Sequence, residues 1–181
     1  MRICYLDESE QQQDGVYYVG ALVVDADQVR AIDRGLDELH GQLKADHPDQ
    51  VPDELEFHGH AMFQGEEGWS AMDPGTRAWA SQRAVDVICS HAPWFGFQGV
   101  DTERLHHRPG WEDQEPYLVV SGQLLNRIHR RSWLVSDGLM VIADDHHLRE
   151  DSRLSYRRMR SASVRGLTDG KLNHLLDTIY F

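Results

Sequence analysis

Short apolar runs alternate along this chain with longer amphipathic segments. Segments in which apolar residues recur every three or four positions predict helices from Asp27 to near His47-Pro48, from Asp73-Pro74 to about His91, from Pro116 to Arg131 and over 148–164. Runs rich in β-branched, aromatic and aliphatic residues predict strands over 2–7, 16–24, 94–100, 139–143 and 172–181. The resulting order, β-β-α-α-β-α-β-α-β, combines a hairpin with crossover connections. It predicts an α/β fold in which helices flank a mixed sheet, formed by residues 1–181 as a single domain.

Two long polar segments, 48–74 and 101–115, show neither pattern and are predicted to be loops. The first contains the sequence Glu-Leu-Glu-Phe-His-Gly-His at 54–60. Long loops of this kind often carry functional residues. Trp69 and Trp111 lie in these two loops and are either core residues or platforms on which a base stacks.

Two of the predicted strands end in a pair of acids. Asp7 and Glu8 follow the first strand, and Asp144 and Asp145 follow the fourth. If these strands lie side by side, their acids converge, and carboxylates from separate elements can hold two divalent cations for phosphoryl transfer. With Glu56 from the first loop, these acids are the candidate metal ligands. The alternative for Asp7 and Asp144 is a role in turns or helix caps.

Histidines suggest a rival site, because imidazole is a good ligand for zinc. The chain has 11, including His58, His60, His106, His107, His146 and His147. None of their spacings is a zinc signature, and no phosphate loop, dinucleotide fingerprint or nucleophile elbow is present. His58 or His146 is therefore expected beside the carboxylates as an auxiliary ligand or proton carrier. A zinc hydrolase remains a further hypothesis.

The net charge of −12 argues against a protein that coats nucleic acid nonspecifically. The charge is uneven, however, because residues 126–171 carry ten Lys and Arg but six acids. Such a stretch beside an acidic site would place metals next to a phosphate backbone. The alternative is a solvated helix face with ordinary ion pairs. The residues predicted to contact nucleic acid are Arg127, Arg130, Arg131, Arg157, Arg158 and Arg160.

The cysteine content points to a reducing compartment. Cys4 and Cys89 are the only cysteines, and both stand in apolar, periodic contexts that predict buried thiols rather than a disulfide. No apolar run approaches the length of a membrane span, and no signal peptide is recognisable. A cytoplasmic protein without membrane contact is the expectation.

Four segments resemble motifs of a prokaryotic family, domain of unknown function 3800, in the order and spacing of that family. Its opening Y-x-D-E-S-G is similar to residues 5–9, its acid-apolar-His/Lys motif to 56–58, and its apolar strand ending in two acids to 141–145. Residues 176–181 resemble the strand before its final motif. The resemblance covers almost the whole chain.

This family is similar to the RNase H-like superfamily, so the resemblance implies an RNase H-like mixed sheet and a carboxylate site for Mg²⁺ or Mn²⁺. Members occur in bacteria and phages, sometimes near defence or mobile-element functions. By resemblance Asp7, Glu56 and Asp144 are metal ligands, with Glu8, Asp145 and His58 nearby.

Two features depart from the family pattern. Glu10 replaces the usual glycine, and the chain stops at Phe181 before the family's Q-x-A-D helix. The expectation is a domain without that last helix, in which a partner chain or a second copy covers the C-terminal strand.

The sequence thus predicts a divalent-metal-dependent nuclease or phosphodiesterase that acts on nucleic acid. The alternative is a non-catalytic RNase H-like binding or assembly module that keeps the fold without the complete site.

Overall fold

A computed structural model describes residues 1–11, 15–131, 137–143 and 149–176 of the chain. The chain divides into two compact units: unit 1 comprises Met1–Ala26 and Trp94–Phe181, and unit 2 comprises Asp27–Pro93. The strands are β1 (Arg2–Gln11), β2 (Val16–Asp25), β3 (Trp94–Asp101) and β4 (Leu139–Ala143). The helices are α1 (Ala26–Asp46), α2 (Gly59–Gln64), α3 (Pro74–Ser90), α4 (Thr102–His106), α5 (Pro116–His129) and α6 (Arg149–Ser161).

Unit 1 is built on a sheet in which the described strands follow the order β3-β2-β1-β4. β2 pairs antiparallel with β1 and with β3, whereas β1 and β4 are parallel. The prediction of an α/β fold with helices flanking a mixed sheet is therefore confirmed. Leu175 makes a single parallel bridge to Leu139 beside β4. The prediction of a strand over 172–181 is wrong for 172–176, which form a turn with only this bridge. Residues 177–181 lie outside the described residues, and so does the prediction that a partner covers the strand.

One face of this sheet forms the core of unit 1. Side chains alternate along a strand, and in β1 Cys4 and Leu6 point into a cluster that α5 and α6 complete. The helices contribute Val120, Leu124, Ile128, Tyr156 and Met159, all fully buried. The opposite face of β1 carries Tyr5 and Asp7, which are both exposed.

Unit 2 has its own core, formed by α1, α2, α3 and their connections. The apolar stripe predicted for α1 is present, since Leu39 and Leu43 are buried. The prediction of an irregular segment over 48–74 is wrong in part, because this segment contains α2 and a short 3₁₀ turn, Glu67–Trp69. Trp69 is 1% exposed and its Nε1 donates to the Glu56 carbonyl oxygen at 2.9 Å. Burial of this large ring packs the segment into the core of unit 2, which its polar composition did not indicate.

Two further predictions need correction. β1 continues to Gln11 because β2 pairs with it over its whole length, so Asp7 and Glu8 lie inside the strand rather than after it. Cys89 is exposed, whereas Cys4 is buried as predicted, and both are free thiols. Across the described ranges, no helix combines the length and apolarity needed to span a bilayer.

Candidate functional site

The parallel pairing of β1 with β4 determines where the candidate acids stand. The described register ends where Leu6 pairs with Ala143. The chain continues from these two residues into Asp7 and Asp144. The condition for convergence, that the first and fourth strands be neighbours, is thus met. Residues 144–148, which include Asp145 and His146, lie outside the described residues.

Asp7 lies on the open face of the sheet. Its backbone neighbour in β2 is Gly20, which pairs in turn with Phe97 of β3. The Asp7 side chain is exposed, and within the described part of the chain no hydrogen bond or ion pair holds its carboxylate. Gly20 has no side chain, and a Cβ there would lie 3.9 Å from the Phe95 ring. The Asp7 carboxylate is therefore accessible to a cation as an oxygen ligand.

Glu8 points to the other face, because consecutive side chains of a strand alternate. It is half-buried near the hydroxyl groups of Tyr117 and Tyr156. Burial raises the pKa of both tyrosines, and the Glu8 charge raises it further. Tyr156 stays protonated and donates to Ser121 Oγ at 2.6 Å. Asp7 and Glu8 thus occupy different environments, one open to solvent and one in the core of unit 1.

Aromatic rings flank Asp7 on the open face. Phe95 and Phe97 of β3 are 65% and 61% exposed, and their ring centroids lie 6.5 Å apart. Tyr5 and Tyr18 lie on the same face and are 37% and 39% exposed. We call these four residues the aromatic face. This face was not predicted from the sequence, although the alternation of Trp94, Phe95, Gly96 and Phe97 is a signal for a strand with an aromatic outer side.

Glu56 and His58 belong to unit 2, and both side chains are exposed. His58 precedes the first turn of α2 without a side-chain capping bond, and its ring centroid lies 6.2 Å from that of His60. His60 Nε2 lies 3.7 Å from a Glu66 carboxylate oxygen. Within the described ranges, no group of three or more His, Cys, Asp or Glu side chains has the geometry of a metal site.

The predicted arginines have different surroundings. Arg127 donates to the Phe97 carbonyl oxygen at 3.3 Å, which places its guanidinium at the edge of β3. Arg131 stacks on Trp94, and Arg130 pairs with Asp169 at 3.0 Å. On α6, Arg157 and Arg158 are exposed and Arg160 is half-buried. Among the predicted arginines, Arg127 thus contacts the backbone of Phe97, a residue of the aromatic face.

Comparison with known proteins identifies no relative: no protein-family model, curated protein or solved structure matches the chain. The function proposed below therefore rests on the chain's own residues and their arrangement.

Proposed function

We propose that this chain is a divalent-metal-dependent phosphodiesterase that acts on nucleic acid, with Asp7 and Asp144 as its central carboxylates. The observation that carries the proposal is the parallel register of β1 and β4. The last described pair is Leu6 and Ala143, and the next residue in sequence after each is an acid, Asp7 and Asp144. Parallel strands advance together along a sheet. Two carboxylates at this position would share one site.

The chemistry of Asp7 fits a hard cation. Its carboxylate is exposed and unengaged among the described side chains, and carboxylate oxygens are preferred ligands of Mg²⁺ and Mn²⁺. A cation bound there would supply positive charge to the phosphoryl oxygens and activate water. Asp145 and His146 remain further members of the site predicted by the sequence, whereas Glu8 points to the opposite face of β1, and Glu56 and His58 belong to unit 2.

The surroundings of Asp7 suit a nucleic-acid strand. Exposed aromatic rings stack on bases of any sequence, so the aromatic face would hold nucleotides next to the carboxylate. Arg127, at the edge of β3, could contact a phosphate group from there. These residues bind and orient the strand, and Asp7 holds the cation. The free thiols of Cys4 and Cys89 suit a reducing, cytoplasmic setting for this activity.

Calorimetric titration with Mn²⁺ tests the proposal. Wild type should bind in the micromolar range, and Asp7→Asn and Asp144→Asn should each weaken binding at least about tenfold, or about 1.4 kcal/mol. Asp113→Asn is the matched control, since Asp113 is also exposed and in unit 1. The same variants should lose Mn²⁺-dependent cleavage of a labelled oligonucleotide. Unchanged Mn²⁺ affinity in both Asn variants would disprove the proposed site.

A non-catalytic binding module is the second candidate, and the aromatic face is the observation that favours it. Stacking requires no metal, so such a module would bind single-stranded oligonucleotide in the presence of a chelator. Phe97→Ala should then weaken binding by about 1–3 kcal/mol in fluorescence anisotropy. Binding in chelator without cleavage in Mn²⁺ would favour the module over the enzyme.

A further inference from the structure

A cavity of about 420 Å³ opens in unit 1, between the loop after α4 and the loop after α6. Its walls include Arg108, Trp111 and Gln114 from the first loop and its continuation, and Arg165, Gly166 and Leu167 from the second. This volume lies in the range of small-molecule sites. None of the candidate metal ligands lines it, so the cavity is a separate feature of the molecule.

Two guanidinium groups line the cavity, those of Arg108 and Arg165. Within the described ranges, neither Arg108 nor Arg165 makes an ion pair, although acids far outnumber bases in this chain. Arg104, on the adjacent α4, pairs with Asp101 at 3.3 Å. Two like charges that line one cavity repel each other, and an anion bound between them would relieve that repulsion.

Arg108 lies against an aromatic ring of the cavity wall. Its Cζ lies 5.0 Å from the centroid of the Trp111 ring, in a cation–π contact. Stacking uses the flat face of a guanidinium and leaves its N–H edge for a planar or tetrahedral oxyanion. The nearby carboxylate of Glu112 is turned to its own loop, where it accepts from the Gly110 backbone N–H at 3.0 Å.

Two lining residues of the cavity, Gly166 and Trp111, pack closely against each other. Gly166 has a φ of +80°, and a Cβ there would overlap the Trp111 ring, so ring and backbone are in close contact. Gln123 Nε2 donates to the Gly166 carbonyl oxygen at 3.1 Å and ties this loop to α5. This part of the wall is held by packing and a hydrogen bond before any ligand binds, which lowers the entropy lost on binding.

We propose that this cavity binds the phosphate monoester of a nucleotide, with the phosphate between Arg108 and Arg165. The cavity is larger than a phosphate ion requires, and the apolar surface of Trp111 and Leu167 suits the nucleoside. The same chemistry belongs to a free nucleoside monophosphate and to the 5′-phosphate end of a nucleic-acid strand. This proposal does not depend on the metal site.

Calorimetry with adenosine 5′-monophosphate as the probe tests the proposal. Wild type should bind it, and Arg108→Gln and Arg165→Gln should each weaken binding at least about tenfold. Both arginines are exposed, so the variants should fold. Arg104→Gln, from the ion-paired neighbour, should bind as wild type does. Adenosine, which lacks the phosphate, should bind far more weakly than the monophosphate.

Oligonucleotides with a 5′-phosphate or a 5′-hydroxyl distinguish the two sources of the ligand. A preference for the 5′-phosphate that Arg108→Gln removes would assign the cavity to strand ends, and binding of the monophosphate alone would assign it to free nucleotides. The proposal is overturned if the monophosphate does not bind at millimolar concentration, if adenosine binds equally well, or if both glutamine variants retain wild-type affinity.

Discussion

Single residues on two loops of unit 1 illustrate how backbone conformation and packing combine. Gly110 and Gly166 both adopt left-handed backbone, with φ of +82° and +80°. A Cβ at Gly166 would overlap Trp111, whereas a Cβ at Gly110 would meet no atom within 4 Å. Alanine substitutions at these two glycines therefore distinguish the cost of a strained backbone from the cost of side-chain overlap.

Alanine at these glycines should cost different amounts of stability. Gly110→Ala should lower the free energy of unfolding by about 1–2 kcal/mol through its left-handed backbone alone. Gly166→Ala should lower it by about 2–4 kcal/mol, because displacement of Trp111 adds to the strain. Gly170→Ala, at an open site without positive φ, should change it by less than about 0.5 kcal/mol. Denaturant unfolding measures all three, and equal losses at Gly110 and Gly166 would contradict the role of the Trp111 contact.

At the scale of elements, α3 is the clearest case in which a local signal determines a boundary. Asp73 accepts hydrogen bonds from the backbone N–H of Gly75 and Thr76 and from the Thr76 hydroxyl, and Pro74 occupies the first turn. These bonds, chiefly the one from the Thr76 hydroxyl, lower the pKa of Asp73 below its usual 3.8. The ionised carboxylate is thus the form that stabilises the helix.

Asp73→Ala should lower the Tm by a few degrees at about pH 7, because the first turn of α3 loses its cap. A depressed folded-state pKa stabilises the protein above the unfolded pKa, and this contribution disappears as the pH falls through the folded value. The Tm difference between wild type and variant should therefore shrink as the pH falls below 3.8, the usual pKa of the group. Asp113→Ala is the control, and an equal Tm difference at both pH values would contradict the assignment.

β1 shows how the partners of a strand determine the surroundings of its side chains. Over residues 2–6 it has β2 on one side and β4 on the other, whereas from Asp7 to Gln11 the described partner is β2 alone. Alternation sends Asp7 and Glu8 to opposite faces of the strand, a property that does not follow from the acids themselves.

At the scale of the whole molecule, the charge distribution governs how a polyanion could bind. The net charge of −12 opposes general attraction, so any nucleic-acid contact must be local. Arg127 lies at the edge of β3 beside the aromatic face, while Arg130 is neutralised by Asp169. A small number of phosphate contacts is therefore expected.

Salt dependence measures that number. For single-stranded DNA, the logarithm of affinity should fall with the logarithm of salt concentration, and Arg127→Gln should reduce the slope by about 0.7. Arg83→Gln is the control, because Arg83 lies in unit 2 and pairs with Asp86. A slope that is unchanged in Arg127→Gln would show that this arginine makes no phosphate contact.

The sequence by itself determined the positions of most elements. The strands at 16–24, 94–100 and 139–143 and the helices that begin at Asp27, Pro74 and Pro116 were predicted within a few residues of their observed ends. These predictions succeed because hydrophobic period, capping residues and proline act over a few neighbouring positions. The α/β class follows from the order of the elements.

Tertiary structure decided what depends on distant partners. Pairing with β2 extends β1 through Asp7, and burial of Trp69 orders a segment whose composition indicates a loop. The exposed rings of Phe95 and Phe97 belong to a face defined by the sheet, and Cys89 is exposed despite its apolar context. The division into two units is likewise a property of long-range contacts. Local pattern specifies the period of an element, but only its neighbours in space decide which side is covered and which remains open to a ligand.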